Sequence, residues 1–292
     1  MDYVDRLIES ADFTGNVTCM GLDPVLDALP GEGGFRERVN AFAEQLFRRM
    51  KLEGLSPAAF KPNIGYYVIN DNPRDEDFSG SAALADVLDM LESFFPSIPV
   101  ILDSKRGDIA KSSQNYAHEA FDCWQADAVT VSPYMGSDSV LPFAFPDKGI
   151  YVLNRTSNPG GKELQNMLAL DKVDSHELYP FYDAVAHHIA AWAGEHRGVG
   201  AVVGATNMEE LGRIVGYYAG RDVPTLIPGV GSQGGSAPEV MEAMRKAGYD
   251  VRLARINSSS GLTHPWKKGP APEDWLDACL QSIRRLLDET KC

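Results

Sequence analysis

Short apolar runs alternate with amphipathic stretches along most of the chain. Eight runs of four to six residues are typical of buried strands, and they lie at 17–22, 58–61, 100–103, 128–131, 149–153, 199–203, 225–228 and 251–256. Stretches with one apolar helical face lie between or after them, at 35–50, 82–95, 111–124, 178–194, 208–215, 238–247 and 272–288. Between the fourth and fifth strands the helical signal is weak, a single turn near 137–142. Eight strands alternating with helices predict an α/β fold, a (β/α)₈ or TIM barrel.

Length and the absence of linkers decide between one domain and two. A chain of 292 residues is long enough for two domains, but one barrel commonly has this size. No internal repeat or low-complexity segment divides the sequence. We therefore expect one barrel domain over residues 1–292.

Charge and cysteine spacing narrow the classes of partner. The net charge of −14 disfavours binding to nucleic acid or to an anionic membrane. The four cysteines, Cys19, Cys123, Cys279 and Cys292, are far apart and form no CxxC pair, which excludes a standard zinc motif and gives no disulfide framework. No apolar run approaches membrane-spanning length and no secretory signal is visible, so we expect a cytoplasmic protein.

The third strand ends in an acid, base, acid series. The apolar run 98–102 leads into Asp103, Lys105 and Asp108, and alternation along a strand points Asp103 and Lys105 the same way. Charges are costly to bury unless they are paired, so the series suggests a reaction centre. A plainer interpretation stays open, in which Asp108 caps a helix and Asp103 with Lys105 is a solvated pair.

Other predicted strands also end in polar residues. The first leads to Asp23 and the second to Lys61, directly after an apolar run and before a proline. Lys61 could also extend its ammonium to solvent along its stem. The longest irregular stretch, 154–175, follows the fifth strand and is either a surface excursion or a binding loop on the catalytic face of the barrel.

A glycine-rich segment follows the seventh strand. Residues 227–235 read IPGVGSQGG, and four glycines in seven residues let backbone amides approach an anion closely. Gln233 adds a side-chain donor. In TIM barrels the seventh and eighth βα loops commonly bind phosphate.

Four segments together resemble the orotidine 5′-phosphate decarboxylase family, in particular its longer bacterial branch. They are FKPN at 60–63, DSKRGDI at 103–109, TSNPG at 156–160 and the glycine-rich 227–235. The resemblance extends over about residues 21–261. It implies a cofactor-free and metal-free barrel that converts orotidine 5′-monophosphate to UMP and CO₂.

The resemblance also implies roles for individual residues. Lys61, Asp103, Lys105 and Asp108 form a charged tetrad in which Lys105 protonates the pyrimidine carbon, while Asp108 and Ile109 reach into the partner's site in a homodimer. Ser157 hydrogen-bonds the pyrimidine, and Gln233 bridges base and phosphate. The residues assigned to substrate binding are Asp23, Ile109, Ser112, Ser157, Pro228, Gly231, Gln233, Gly234 and Ser260.

These residue types suit the implied reaction. Loss of CO₂ leaves an electron pair that the pyrimidine ring cannot delocalise, so without a cofactor the protein must stabilise it electrostatically. An ammonium supplies charge and then a proton, and flanking carboxylates keep it protonated.

The chain departs from the family pattern at one phosphate-binding position. The eighth strand continues RINSSSG at 255–261, with Ser260 where an arginine is expected. A guanidinium–phosphate pair is among the stronger polar contacts, and its loss weakens phosphate binding unless another cation compensates. The candidates are Arg255, His264, Lys267 and Lys268, although Arg252 and Arg255 could equally be solvated charges.

Two other functions remain open from sequence. A metal-dependent sugar-phosphate decarboxylase or aldolase shares the barrel and the Asp-x-Lys-x-x-Asp pattern, but Lys61 would repel the Mg²⁺ that such an enzyme holds with oxygen ligands. A non-catalytic nucleotide-binding barrel is the other alternative. It has no need of a lysine between two aspartates.

Overall fold

The computed structural model describes residues 1–171, 176–231, 234–266 and 269–292. Its strands, in chain order, are β1 (Thr18–Leu22), β2 (Ala59–Pro62), β3 (Ile101–Arg106), β4 (Ala128–Val131), β5 (Gly149–Arg155), β6 (Leu168–Leu170), β7 (Leu178–Pro180), β8 (Val199–Val203), β9 (Thr225–Ile227) and β10 (Ala254–Ser258). Its α-helices are α1 (Tyr3–Thr14), α2 (Phe35–Leu52), α3 (Gly65–Val68), α4 (Ser79–Phe94), α5 (Ala110–His118), α6 (Gly161–Gln165), α7 (Phe181–Glu195), α8 (Met208–Tyr218), α9 (Ala237–Lys246), α10 (Ser260–Thr263) and α11 (Trp275–Glu289).

Eight of these strands form one parallel sheet that curls into a barrel. Their order is β2-β1-β10-β9-β8-β5-β4-β3, and the parallel bridges Phe60–Val100 and Asn63–Asp103 join the two outer strands. Helices cover the outside, where apolar residues of the strands and helices form the main core. The (β/α)₈ barrel predicted from the sequence is confirmed.

The amino-terminal end of the barrel is closed by α1. Tyr3 and Leu7 of this helix pack inside with apolar residues of the strands, including Cys19 and Tyr151. The approach is so close that a Cβ at Gly149 would lie 2.2 Å from the Tyr3 ring. The barrel is therefore filled at this end, and space for a ligand lies at the carboxyl ends of the strands.

The predicted strands at 128–131 and 199–203 have the observed bounds, but the bounds of other predicted elements need correction. Residues 251–253 form a 3₁₀ turn capped by Asp250, so the last strand begins at Ala254. Residues 178–180 pair with β6 in an antiparallel hairpin, so α7 begins at Phe181. The helix predicted at 111–124 is α5 followed by a π-helical turn, Glu119–Cys123.

The helix α1 lies in a stretch where no element is predicted from the sequence. Its signals are local and clear in retrospect. Asp2 caps the helix by accepting from the Asp5 amide at 2.9 Å, and Gly15 ends it in the left-handed region at φ 69°. None of the described helices is both long and apolar enough to cross a bilayer.

Candidate active site

A cavity of about 580 Å³ opens at the carboxyl ends of the barrel strands, within the size range of ligand sites. Seven residues predicted from sequence line it: Asp23, Lys61, Asp103, Lys105, Ser157, Pro228 and Ser260. They come from six different strand ends or following loops, so the parallel barrel brings them together.

Asp103 lies between two lysines at the floor of this cavity. Its Oδ2 accepts from Lys61 Nζ at 2.7 Å, and its Oδ1 accepts from Lys105 Nζ at 2.5 Å. Asp103 and Lys61 are buried, whereas the Lys105 side chain is 49% exposed. The Asp103 carboxylate therefore holds the Lys105 ammonium, while the Lys105 side chain lines the cavity.

Opposite charges keep the buried Lys61–Asp103 pair ionised. Burial by itself would raise the pKa of Asp103, but Lys61 and Lys105 outweigh it and hold that pKa well below its usual range. Burial would lower the pKa of Lys61, but Asp103 and then Asp23 outweigh it and hold that pKa above its usual range. A carboxylate and an ammonium are thus present together at neutral pH.

Asp108 and Ile109 are not among the residues that line the cavity of their own chain. The Asp108 carboxylate accepts from the Ile109 amide at 2.7 Å, and Ile109 is 60% exposed. Asp108 and Lys105, both among the described residues, form no ion pair within one chain. Ser112 also lies outside the cavity lining, and the neighbouring Ser113 hydroxyl bonds the Asp108 carbonyl at 2.8 Å.

The glycine-rich loop contributes less than its sequence suggests. Pro228 and Gly229 line the cavity, but Gly231 and Gly234 do not. The Gly231 amide donates to the Gly235 carbonyl at 3.0 Å, and the Gly234 amide donates to the Gly231 carbonyl at 3.2 Å. These two amides are therefore engaged inside the loop, and Gln233 lies outside the described residues.

Arg255 does not replace the expected arginine near Ser260. It is fully buried at the opposite end of β10, where its guanidinium donates to the Leu7 and Ala58 carbonyls at 2.7 and 3.1 Å. Arg255 is thus neither a phosphate ligand nor a solvated charge. Arg252 pairs with Asp250 at 2.7 Å.

Two of the remaining basic candidates, Lys267 and Lys268, lie outside the described residues. His264 lines the cavity together with Ser260. Burial lowers the pKa of His264, and Asp23 opposes that shift. Its imidazole is therefore a neutral donor or acceptor at neutral pH rather than a full cation.

Several polar residues of the cavity were given no role in the sequence analysis, among them Thr130 on β4 and Asn257 on β10. The Thr130 hydroxyl donates to Asp103 Oδ1 at 2.9 Å. The Oδ1 atoms of Asn257 and Asp23 are buried and lack a hydrogen-bond partner among the described residues, as expected of groups that bind a ligand. Strand alternation could have found both residues, because each lies in a predicted strand or directly after one.

The loop after β5 is less irregular than predicted. It carries α6 and the β6–β7 hairpin, while Thr156, Ser157 and Asn158 line the cavity.

Within the described part of the chain, no group of three or more His, Cys, Asp and Glu side chains could hold a metal ion.

Comparison with known proteins gives consistent matches. The model of the orotidine 5′-phosphate decarboxylase / HUMPS family matches residues 48–259. Orotidine 5′-phosphate decarboxylase of Cupriavidus necator is 39% identical over 274 residues, covering 90% of each chain. The protein of that name in Bordetella avium is 36% identical over 291 residues, covering 99% of this chain and 98% of its own.

Solved structures agree in fold. An OMP decarboxylase of Leishmania donovani is 31% identical with a TM-score of 0.73, and the match covers 99% of each chain. A UMP synthase of the same organism is 32% identical with a TM-score of 0.75; the match covers 98% of this chain but 56% of that longer one. Together with the barrel and the charged array at its rim, these matches show that the chain belongs to the orotidine 5′-phosphate decarboxylase / HUMPS family.

Proposed function

We propose that the chain removes CO₂ from orotidine 5′-monophosphate to give UMP in pyrimidine biosynthesis. The observation that carries this proposal is the Lys61–Asp103–Lys105 array, in which the half-exposed side chain of Lys105 lines the cavity. Relatives 36–39% identical over most of the chain are named for this activity.

In the reaction the carbon–carboxylate bond breaks and CO₂ departs. The bonding electron pair stays on the pyrimidine carbon, where the Lys105 ammonium stabilises it. Lys105 then transfers a proton to that carbon and regains one from solvent. Asp103, beside the substrate carboxylate, adds repulsion in the ground state and holds Lys105 in place. This chemistry requires neither metal nor cofactor.

Other cavity residues fit the rest of the substrate. Ser157, in the loop after β5, hydrogen-bonds the pyrimidine, and Ser260 lies toward the phosphate. The unpartnered Oδ1 atoms of Asp23 and Asn257 accept from ribose hydroxyls. We retain Gln233 as a bridge between base and phosphate on the strength of the family resemblance.

We further propose that the working unit is a cytoplasmic homodimer of single-domain chains with shared active sites. Asp108 and Ile109 lie outside their own cavity, and Ile109, Tyr134 and Met135 are 60%, 80% and 52% exposed. The loops after β3 and β4 are neighbours, because the Ser132 amide donates to the Arg106 carbonyl at 2.7 Å. An apolar surface of this kind suits a second copy, which would place Asp108 near the partner's Lys105.

Mixing purified protein with orotidine 5′-monophosphate tests the activity. We expect loss of the orotidylate absorbance, and we expect the rate to be unchanged by EDTA. Sensitivity to EDTA would favour the metal-dependent alternative. Tight UMP binding without loss of absorbance would favour a non-catalytic nucleotide-binding barrel.

A further inference from the structure

The strand that carries Asp103 and Lys105 is irregular where it passes Thr130. Leu102 pairs with Val129 and Arg106 with Val131, so β3 advances four residues while β4 advances two. Residues 103–105 are therefore opposed by Thr130 alone. Such a bulge leaves backbone amides without their usual ladder partners.

The Thr130 hydroxyl takes the place of those partners. Its Oγ1 accepts from the Ser104 amide at 3.1 Å and from the Lys105 amide at 3.0 Å. Lys105 adopts φ 48°, in the left-handed region that a residue with a side chain avoids unless its surroundings impose it. The two hydrogen bonds to Thr130 Oγ1 help to hold Lys105 in this left-handed conformation.

The same hydroxyl also contacts the charged array. It donates its single proton to Asp103 Oδ1 at 2.9 Å, and this oxygen also accepts from Lys105 Nζ. A hydroxyl has one donor and two acceptor positions, and all three are used here. Thr130 is 1% exposed and has no capacity left for a bond to substrate.

We propose that Thr130 is a positioning residue for the proton donor: its hydroxyl fixes both the backbone of Lys105 and the carboxylate against which the Lys105 ammonium rests. This inference rests on the proposed decarboxylation. It assigns Thr130 an effect on the chemical step rather than on substrate binding.

Two substitutions separate the hydroxyl from the shape of the side chain. Thr130→Val keeps the branched shape and removes all three hydrogen bonds, whereas Thr130→Ser keeps the hydroxyl. We expect the valine variant to lose about 10²-fold in kcat, a loss typical of a misplaced catalytic group, with KM within about threefold. The serine variant should stay within about fivefold of wild type in kcat.

Thr225→Val is the matched control. Thr225 is also a fully buried strand threonine, but its hydroxyl bonds the Tyr249 hydroxyl at 3.2 Å and lies outside the cavity lining. We expect its kcat to be unchanged. The pH profile adds a second readout, because Asp103 loses a donor to its ionised form in Thr130→Val and the acid limb of kcat should move to higher pH.

Near-native kcat in Thr130→Val, or equal losses in Thr130→Val and Thr225→Val, would overturn the inference. If the valine variant does not fold, the comparison of Thr130→Ala with Thr130→Ser tests the inference, since these two variants differ only in the hydroxyl. Equal kcat values in the two variants would contradict the inference. Crystal structures of wild type and Thr130→Val test the positioning role without any measurement of turnover. An inactive wild type would therefore count against the proposed function and not against this inference. The inference requires the Lys105 ammonium to leave Asp103 Oδ1 in the variant, and an unchanged contact overturns it.

Discussion

At the scale of single residues, the site combines a buried ion pair with a half-exposed lysine side chain. Lys61 and Asp103 are buried against each other, while Lys105 contacts the same carboxylate and remains 49% exposed. The two lysines therefore contribute differently. Lys61 stabilises the carboxylate and the fold around it, and Lys105 is available to the substrate.

Lys105→Ala should abolish decarboxylation and leave the barrel folded, because the residue supplies a proton and charge rather than packing. Turnover by absorbance and unfolding by circular dichroism check the two parts. Turnover near the wild-type rate in the purified variant would show that Lys105 is not the acid.

Lys61→Met should lower the free energy of unfolding by about 3 kcal/mol at pH 7, since it leaves a buried carboxylate with one cation fewer. The raised pKa of Lys61 means that its contribution is present below its unfolded pKa of about 10.4 and is lost as pH rises through the folded value. The lowered pKa of Asp103 means that its contribution is present above its unfolded pKa of about 3.9 and is lost as pH falls through the folded value.

The difference between wild type and Lys61→Met should therefore be flat from about pH 5 to pH 9 and shrink on either side. Urea unfolding at several pH values measures it, with Lys105→Met as the half-exposed control that costs less. A cost equal to that of the control would show that the buried pair adds no stability.

Ser260→Arg should tighten UMP binding, because it restores a charge-assisted contact worth roughly 1.5–3 kcal/mol, or about 10- to 150-fold in affinity. Ser260→Gln is the neutral control of comparable reach and should tighten binding far less. Calorimetric titration with UMP measures both. Unchanged affinity in Ser260→Arg would show that the phosphate lies elsewhere or that another cation already holds it.

At the scale of elements, β10 contributes polar side chains to both ends of the barrel. Arg255 faces the closed end and bonds the Leu7 carbonyl of α1, whereas Asn257, two residues later, lines the cavity. Alternation along the strand places both side chains inside the barrel. Their different positions along the strand place one at the closed end and the other at the cavity. Among the described residues Arg255 forms no carboxylate pair, and four hydrogen bonds to backbone carbonyls compensate its charge.

Arg255→Met should lower the free energy of unfolding by at least about 2 kcal/mol, since hydrogen bonds to charged groups are strong, and should leave kcat and KM unchanged. Arg252→Met is the control, because Arg252 lies at the surface against Asp250 and should cost little. A rise of tenfold or more in KM with an unchanged free energy of unfolding would show instead that Arg255 contributes to phosphate binding.

At the scale of the whole molecule, one chain does not complete the proposed tetrad. Asp108 forms no ion pair with Lys105 of its own chain, and the next residue, Ile109, is exposed. A twofold dimer applies the same surface twice, so each chain would both give and receive an Asp108. Activity then becomes a property of the pair.

Mixing inactive Asp108→Asn with inactive Lys105→Ala subunits should restore activity. With equal amounts and free exchange, half of the dimers are mixed and each has one intact site, so about a quarter of wild-type activity returns. Light scattering confirms the dimer, and labelled subunits confirm exchange. No recovery despite exchange would contradict shared sites.

The sequence by itself determined the barrel and most of its rim. Buried parallel strands are apolar on both faces, so the runs at 128–131 and 199–203 were visible without any tertiary information. Polar residues directly after such runs, Lys61 and Asp103 among them, had to meet at one end because all the strands are parallel. The family motifs then supplied the chemistry.

Only the tertiary structure decided how individual side chains are used. Alternation of side chains assigns a face of the strand to each residue. It predicts neither the bulge that places three residues of β3 opposite Thr130 nor the end of the barrel at which Arg255 lies. It also could not show that Asp108 and Lys105 form no ion pair within one chain. These features depend on contacts between residues distant in sequence, and local periodicity carries no information about which distant groups satisfy a given amide or charge.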